Sequence, residues 1–255
     1  MQERINRWDL FKIILRSFFL QASWSFQRMQ SLGFVFALAP ILQKLYTSPE
    51  ERVRSFLRHL RFFNTHPYFA SFILGAVAQM EEKRAQTGRP TEEEIISFKT
   101  MTSGPYAAIG DAFFWGALRP FVAALGLTCM VLGGRIAFLG PVVFFIVYNL
   151  FHLQVRVMGV MWGYSQEDLA AKKIEQLNLT GLAKIFKQIA LPILGGITAL
   201  QLNTKDVFLE DHRLILKLCS LILILLFSRL SRQGWSIYWQ VAIVGLASII
   251  LAYGL

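Results

Sequence analysis

Residues 136–155 read IAFLGPVVFFIVYNLFHLQV, and residues 233–255 read QGWSIYWQVAIVGLASIILAYGL. Neither stretch contains Asp, Glu, Lys or Arg. A helix needs about 20 predominantly apolar residues to cross the ~30 Å hydrocarbon core of a bilayer, so both stretches are long enough to span it. These two segments predict a helical protein embedded in a membrane.

The composition agrees with a membrane location. Of the 255 residues, 55% are hydrophobic and 16% are charged, and the mean hydropathy is +0.46. Soluble domains carry about 25% charged residues, so neither a disordered chain nor an ordinary soluble domain fits. The net charge of +10 comes from basic residues that alternate with long uncharged stretches. This alternation is typical of loops facing anionic lipid, and we expect membrane lipid as a partner and no nucleic acid.

The sequence offers no chemistry of its own. Cys129 and Cys219 lie inside apolar runs without the spacing of metal ligands, so we expect no metal and no cofactor. No grouping of Ser, His and Asp or of Cys and His indicates a nucleophile, and we expect no catalytic residue. Glu81 and Glu82 point to different helix faces because they are adjacent, so we interpret them as a solvated helix end.

The chain divides into three predicted regions of an all-α integral membrane protein with N-terminal amphipathic helices, re-entrant hairpins and several transmembrane helices. Residues 1–61 form an amphipathic, interfacial arm, and residues 104–255 form the transmembrane region. Residues 62–103 form a hairpin and a soluble helical segment, in which Thr91 and Glu94 make a capping box for a short helix ending at Lys99. Apolar residues recur at helical spacing in the arm at Ile13, Phe18, Phe19, Trp24 and Phe26.

Loop charge predicts the orientation of the chain in the membrane. Further apolar stretches lie at 120–134, 188–204 and 214–228. The segment 165–187 has four lysines, the loop 205–211 is net acidic, and Arg229 and Arg232 form another basic loop. Because basic loops stay in the cytoplasm, the N-terminus is predicted to be cytoplasmic and the C-terminus periplasmic or extracellular.

Ionisable groups in apolar segments mark the candidate site, because each costs a few kcal/mol in lipid unless it is paired or hydrated. Asp111, Arg119 and Arg156 are the clearest cases. Asp111 follows the run GPYAAIG at 104–110, whose Gly and Pro residues are expected to break a helix. One interpretation is a re-entrant loop in which Asp111 meets a polar solute. The other is a loop at the membrane surface, with Asp111 paired to Arg119 or capping a helix.

A second polar cluster consists of Asn64, Thr65 and His66. Its amide, hydroxyl and imidazole groups suit sugar hydroxyls, and the same groups could cap a helix or lie buried and satisfied. Arg52, Arg54, Arg58, Lys172 and Lys173 are candidates for a basic cytoplasmic docking surface, with ordinary positive-inside topology as the alternative.

Four ordered segments give the chain a family resemblance. They read LRSFFLQASWSFQRMQSLGFVFALAP (15–40), RHLRFFNTHPYF (58–69), GPYAAIGDAFFWGALRP (104–120) and YNLFHLQVRVMGVMWGY (148–164). Together these strings resemble the IID component of the mannose-family sugar phosphotransferase system (PTS). The family pattern in the Gly-Pro run usually reads close to GPLAGIGD, so Tyr106 and Ala108 depart from it.

The resemblance implies a subunit of a hexose permease in the bacterial cytoplasmic membrane. Such a subunit pairs with IIC, and the pairs assemble as a trimer of heterodimers with re-entrant hairpins. It is not an enzyme by itself, because the IIA and IIB phosphocarriers receive phosphate from HPr and pass it to the sugar. The principal sugar pocket is expected in IIC, and the altered Gly-Pro run keeps a sensor or scaffold that moves no sugar as the alternative.

The residues expected to line the substrate pathway or the IIC interface come from the two polar clusters. They are Asn64, Thr65, His66, Gly104, Pro105, Gly110, Asp111 and Arg119.

Overall fold

The computed structural model describes residues 4–165, 177–202 and scattered positions between 222 and 246. The chain separates into two compact units, Met1–Ile197 and Thr198–Leu255. The predicted spans at 214–228 and 233–255, apart from isolated positions, lie outside the described residues, as do Lys172, Lys173 and Cys219.

The described part of the chain is helical, as predicted, and has isolated bridges in place of strands. The α-helices are α1 (Arg7–Ser17), α2 (Ser31–Leu45), α3 (Pro49–His59), α4 (Ala70–Thr87), α5 (Glu92–Gly110), α6 (Arg119–Leu132), α7 (Leu139–Ser165) and α8 (Leu179–Leu202). A π-helical segment, Asp111–Leu118, joins α5 to α6, and a 3₁₀ turn, Gly134–Ile136, precedes α7.

The first helix has the predicted amphipathic character. Asn6 and Asp9 form a capping box, each side chain accepting a hydrogen bond of 3.0 Å from the backbone N–H of the other. Leu10 and Ile13 are buried against the core, whereas Trp8 is 71% exposed. The helix ends at Ser17, so the aromatic residues that follow it lie on turns and not on a continued helix.

The predicted span at 136–155 falls within a longer helix, and the predicted span at 120–134 overlaps another helix as far as Leu132. One runs from Glu92 to Leu132 and the other from Gly134 to Ser165, and both are long and apolar enough to cross a membrane. Gly133 and Gly134 separate them with φ values of 72° and 58°, a conformation that glycine adopts without steric cost.

The segment Gly104–Asp111 is not a re-entrant loop, which corrects the expectation from its Gly and Pro residues. The helix starts at the predicted Thr91 capping box but does not end at Lys99, and it crosses the expected boundary between residues 103 and 104. Pro105 lies inside this helix, and Thr102 before it donates a side-chain hydrogen bond to Phe98 O at 2.7 Å. Proline inside a membrane helix is tolerated where surrounding groups or local adjustments of the helix satisfy the freed backbone carbonyl.

The central contact of the first unit is the crossing of α4 and α7, which glycines make possible. A Cβ atom on Gly75 would overlap the backbone of α7 at Val160, and one on Gly163 would overlap the backbone of α4 at Phe72. A Cβ atom on Gly159 would overlap the Ser71 side chain. The two helices therefore approach so closely that only glycine fits at these positions.

We predict that Gly75→Ala lowers the free energy of unfolding by about 1–3 kcal/mol, because the added methyl group must push the α7 backbone away. Denaturant titration of the detergent-solubilised protein measures the change. Gly195→Ala in α8 is the matched control, since a Cβ atom there meets nothing within 4 Å. Equal stability of the two variants would contradict the packing argument.

Candidate functional site

Thr65 is held inside the protein by three hydrogen bonds. Its Oγ1 donates to Ser103 O at 2.8 Å, and its backbone N–H donates to Gln30 Oε1 at 3.1 Å. Gln30 Nε2 in turn donates to the carbonyl of Thr65 at 2.7 Å. The structure thus brings Thr65 against the predicted Gly-Pro run, but as a buried and satisfied group. This arrangement favours the structural interpretation of Thr65 over contact with a sugar.

His66 packs directly on the segment that contains Gly110. Its ring stacks on Phe114 with centroids 5.2 Å apart and an interplanar angle of 16°, and Nδ1 accepts a hydrogen bond from Tyr68 N–H at 3.3 Å. A Cβ atom on Gly110 would overlap the imidazole ring. The sequence-predicted pair therefore does meet, and Gly110 provides room for His66.

The other predicted site residues are exposed and lie mostly along one helix. The exposed residues are Gly104, Pro105, Asp111 and Arg119. Trp115, which lies between the last two, is 47% exposed. Asp111 begins the π-helical segment, and no salt bridge joins it to Arg119, both of which are described. We call Gly104, Pro105, Ala108, Asp111, Trp115 and Arg119 the polar helix face. Asn64 is also exposed, and it adjoins Thr65, which is bonded to this helix.

Arg156, the third ionisable residue of an apolar stretch, has internal partners. Its Nη1 donates to the carbonyl of Ser17 and to Ser17 Oγ, the latter at 2.9 Å, and its Nε donates to His152 Nε2 at 3.1 Å. The guanidinium also lies over the ring of Phe18, 4.5 Å from the centroid. Arg156 therefore ties α7 to the end of α1, and it is buried as a paired group should be.

Sequence reasoning missed a buried polar cluster centred on the carboxylate of Glu81. Glu81 is 0% exposed, so the prediction of a solvated helix end is wrong for it. Arg58 binds both carboxylate oxygens, Nε to Oε1 at 2.7 Å and Nη2 to Oε2 at 2.9 Å. His59 Nε2 lies 2.8 Å from Oε1, and Tyr46 OH donates to Oε2 at 2.6 Å.

The neighbouring charges extend this cluster to the start of α5. Arg58 Nη1 lies 3.0 Å from Glu92 Oε1, and Arg84 Nη2 donates to the same oxygen at 3.2 Å. Because Arg58 is buried between two carboxylates, it does not belong to the predicted docking surface, whereas Arg54 is exposed. Glu82 does face away from Glu81, as adjacency requires, and accepts hydrogen bonds from Ile5 N–H at 2.7 Å and Tyr164 OH at 2.6 Å.

Charge states in the cluster follow from burial and pairing. Burial by itself raises the pKa of the Glu81 carboxyl, but hydrogen bonds from His59 and Arg58 outweigh it and bring that pKa to about 2. Burial lowers the pKa of His59 to about 4, against the opposing hydrogen bond to Glu81. At neutral pH the cluster therefore holds an anionic Glu81, a cationic Arg58 and a neutral His59 that donates through Nε2.

We predict that Glu81→Gln destabilises the fold by about 3–5 kcal/mol, because it leaves the buried Arg58 guanidinium facing a neutral amide. The free energy of unfolding in detergent measures this effect. Glu93→Gln, an exposed glutamate on the first turn of α5, is the control and is expected to change stability by less than about 0.5 kcal/mol. A stable Glu81→Gln protein would contradict the assigned role of the carboxylate.

Acid is predicted to destabilise the protein in two steps. The pKa of His59 is lowered on folding, so the unfolded chain takes up its proton first and stability falls as pH drops from 6.5 towards 4. The pKa of Glu81 is also lowered, so its contribution is lost between pH 4.5 and about 2. Unfolding midpoints measured at several pH values in wild type and His59→Asn test the first step. Parallel losses in the two proteins between pH 6.5 and 4.5 would contradict it.

The comparisons with known proteins agree with the helical membrane architecture. The model of the family described as "PTS system mannose/fructose/sorbose family IID component" matches residues 4–254. The chain is 41% identical over 166 residues to the PTS system mannose-specific EIID component of Escherichia coli K12, covering 65% of this chain and 58% of the relative. It is 36% identical over 182 residues to the fructose permease IID component of Bacillus subtilis 168, covering 69% and 65% respectively.

A solved structure extends the likeness over almost the full length. The chain is similar, with a TM-score of 0.62 and 31% identity, to a chain in a cryo-EM structure of the mannose transporter ManYZ in complex with microcin E492, covering 98% of this chain and 96% of that one. The sequence matches to the curated relatives span less than two thirds of their length. The family model covers nearly every residue, and on that ground this chain belongs to the mannose/fructose/sorbose family of PTS IID components.

Proposed function

We propose that this chain is the membrane subunit of a mannose-family PTS permease and forms with IIC the translocation unit for hexose uptake coupled to phosphorylation by IIB. The main structural support for the proposal is the polar helix face, which lies on a helix long enough to cross a membrane. The names of the relatives support the substrate class, since they are mannose and fructose systems.

The polar helix face requires a protein cover. A carboxylate and a guanidinium exposed to lipid cost at least about 2.5–3.5 kcal/mol each at mid-membrane on insertion scales. Asp111 and Arg119 are separated by two helical turns, and neither forms a salt bridge within the part of the chain that the structure describes. We therefore propose that a partner supplies groups for both. IIC is that partner in our proposal, with a donor facing Asp111 and an acceptor facing Arg119.

The shape of the same face suits close contact with another helix. A Cβ atom built on Gly104 meets nothing within 4 Å, and Pro105 and Ala108 beside it are also exposed and small. Small residues let two membrane helices approach until backbone and side chains pack in register. Trp115 then provides an aromatic anchor of the kind that concentrates binding energy at interfaces.

Buried residues that pack beneath the polar helix face hold it in position. Thr65 fixes the linker before α4 to the carbonyl of Ser103, and His66 fills the space above Gly110. We propose that Thr65, His66 and Gly110 support the interface from inside, while Asn64 is available at its edge for IIC or for the substrate pathway.

The departure of this chain from the family's Gly-Pro pattern does not favour the sensor alternative. Tyr106 turns towards the chain's own core and stacks on Phe72, with centroids 5.8 Å apart and an interplanar angle of 11°. Its bulk is therefore accommodated within the chain. Ala108 adds only a methyl group to the exposed face, so the surface offered to a partner stays narrow.

Family membership supports the remaining parts of the proposal. The chain takes no phosphoryl group itself, and IIA and IIB carry phosphate from HPr to the sugar. It resides in the bacterial cytoplasmic membrane with a cytoplasmic N-terminus and an external C-terminus, and it assembles with IIC as a trimer of heterodimers. Deleting the chain from cells that retain IIC and IIAB tests the function, and unchanged phosphorylation-coupled hexose uptake would exclude it.

We predict that Asp111→Asn weakens association with IIC by about tenfold, since an unpaired buried donor on the partner costs about 1–3 kcal/mol. Arg119→Gln is expected to act in the same direction. Co-purification of IIC and hexose uptake at matched membrane levels measure both changes. Glu93→Gln, which lies outside the polar helix face, is the control and is expected to retain both. Wild-type association and uptake in both variants would contradict the interface.

A further inference from the structure

A groove separate from the polar helix face opens beside the π-helical segment. It has a volume of about 370 Å³, within the range of about 300–1,000 Å³ typical of small-molecule sites. One wall is the start of the π-helical segment, and the other is a face of α8. The lining residues are Ala112, Phe113, Leu179, Thr180, Ala183, Lys184, Lys187, Gln188 and Leu191.

The α8 wall is anchored by aromatic packing. Phe186 stacks on Phe121 with centroids 4.7 Å apart and an interplanar angle of 3°, and it also contacts Phe113 and Phe151 at 6.0 and 5.9 Å. Ala183, one turn before Phe186, is buried in the same cluster. The groove is therefore built between fixed helices.

The polar lining of the groove is cationic. Lys184 and Lys187 are three residues apart on α8, so their side chains share one face of the helix. Thr180 and Gln188 add hydrogen-bonding groups at either end of the pair. The described residues that line the groove include no Asp or Glu. An anion is thus the complementary ligand.

The rest of the lining is mainly apolar and includes residues of a helix long enough to cross a membrane. Phe113 lies in a helix long enough to cross a bilayer, and Leu191 on the opposite wall is 70% exposed. A ligand that fits must therefore carry an anionic group for the two lysines and an alkyl chain for Phe113, Ala183 and Leu191. A free hexose has neither.

We propose that the groove binds one anionic phospholipid, with its phosphate between Lys184 and Lys187 and an acyl chain along the apolar wall. Basic pockets between membrane helices on the cytoplasmic side recognise anionic headgroups. The segment 165–187 contains four lysines, and the positive-inside rule predicts the cytoplasmic side for it. The proposal depends on the membrane location and this predicted orientation, and it is independent of sugar transport and of IIC.

Thermal unfolding of the full chain in detergent, with added dioleoyl phosphatidylglycerol or dioleoyl phosphatidylcholine, tests the proposal. Phosphatidylglycerol is expected to raise the unfolding temperature more than phosphatidylcholine does. The double variant Lys184→Gln/Lys187→Gln is expected to weaken the apparent affinity for phosphatidylglycerol by about fivefold for each lysine removed. Lys184→Arg/Lys187→Arg retains the charge and is expected to retain the preference. Lys12→Gln/Lys83→Gln removes the same charge from exposed positions elsewhere and is the matched control.

Several results would overturn the proposal. The first is equal stabilisation by the two lipids, and the second is unchanged affinity for phosphatidylglycerol in the Gln double variant. The third is an equal loss of that affinity in the Lys12/Lys83 control. The fourth is that inorganic phosphate stabilises the protein as much as phosphatidylglycerol does, which would indicate an ion site without an acyl chain. A photoreactive phosphatidylglycerol added to the wild-type protein gives a test without substitution. Cross-links are expected within Leu179–Leu191 or at Phe113, and cross-links confined to other segments would also overturn it.

Discussion

The buried carboxylate of Glu81 joins three of the described helices through its hydrogen bonds. It lies on α4 and binds Tyr46 at the end of α2 and both Arg58 and His59 on α3, with distances of 2.6–2.9 Å. Arg58 carries the connection on to Glu92 at the start of α5. A buried charge is tolerated only when its partners satisfy it, so these four helices must keep their relative positions for the cluster to survive.

A second polar anchor, the buried guanidinium of Arg156, follows the same physical rule. Arg156 on α7 hydrogen bonds to Ser17 at the end of α1. Glycines at 75, 159 and 163 allow α7 to pack closely against α4. The amphipathic arm is therefore not an independent appendage. Its first helix packs one face on the core and leaves Trp8 and other aromatic side chains exposed.

The polar helix face differs from both anchors because its two charges have no salt-bridge partner among residues 4–165 and 177–202. Glu81 and Arg156 are ionisable groups that partners within the chain satisfy. Asp111 and Arg119 are instead exposed on a helix of membrane-spanning length, and our proposal that the face contacts another subunit rests on this contrast. Thr65, His66 and Gly110 lie behind it, so part of the predicted site is support and part is surface.

The sequence by itself determined the properties that depend on residues close together along the chain. Charge-free stretches predicted the helices that contain 136–155 and most of 120–134, Thr91 and Glu94 predicted the start of α5, and four ordered strings indicated the family. Local reasoning failed at Gly104–Asp111, because the helix passes through Pro105 and continues into a π-helical segment where Gly and Pro predicted a break.

Only the tertiary structure decided which polar groups are paired. Glu81 finds its partners 22, 23 and 35 residues earlier in the chain, and Arg156 finds Ser17 at a separation of 139. No periodicity encodes such separations, because they are set by how the helices pack. The same packing buried Glu81, which looked solvated, and left Asp111 exposed, because burial depends on the neighbouring helices and not on the residue type.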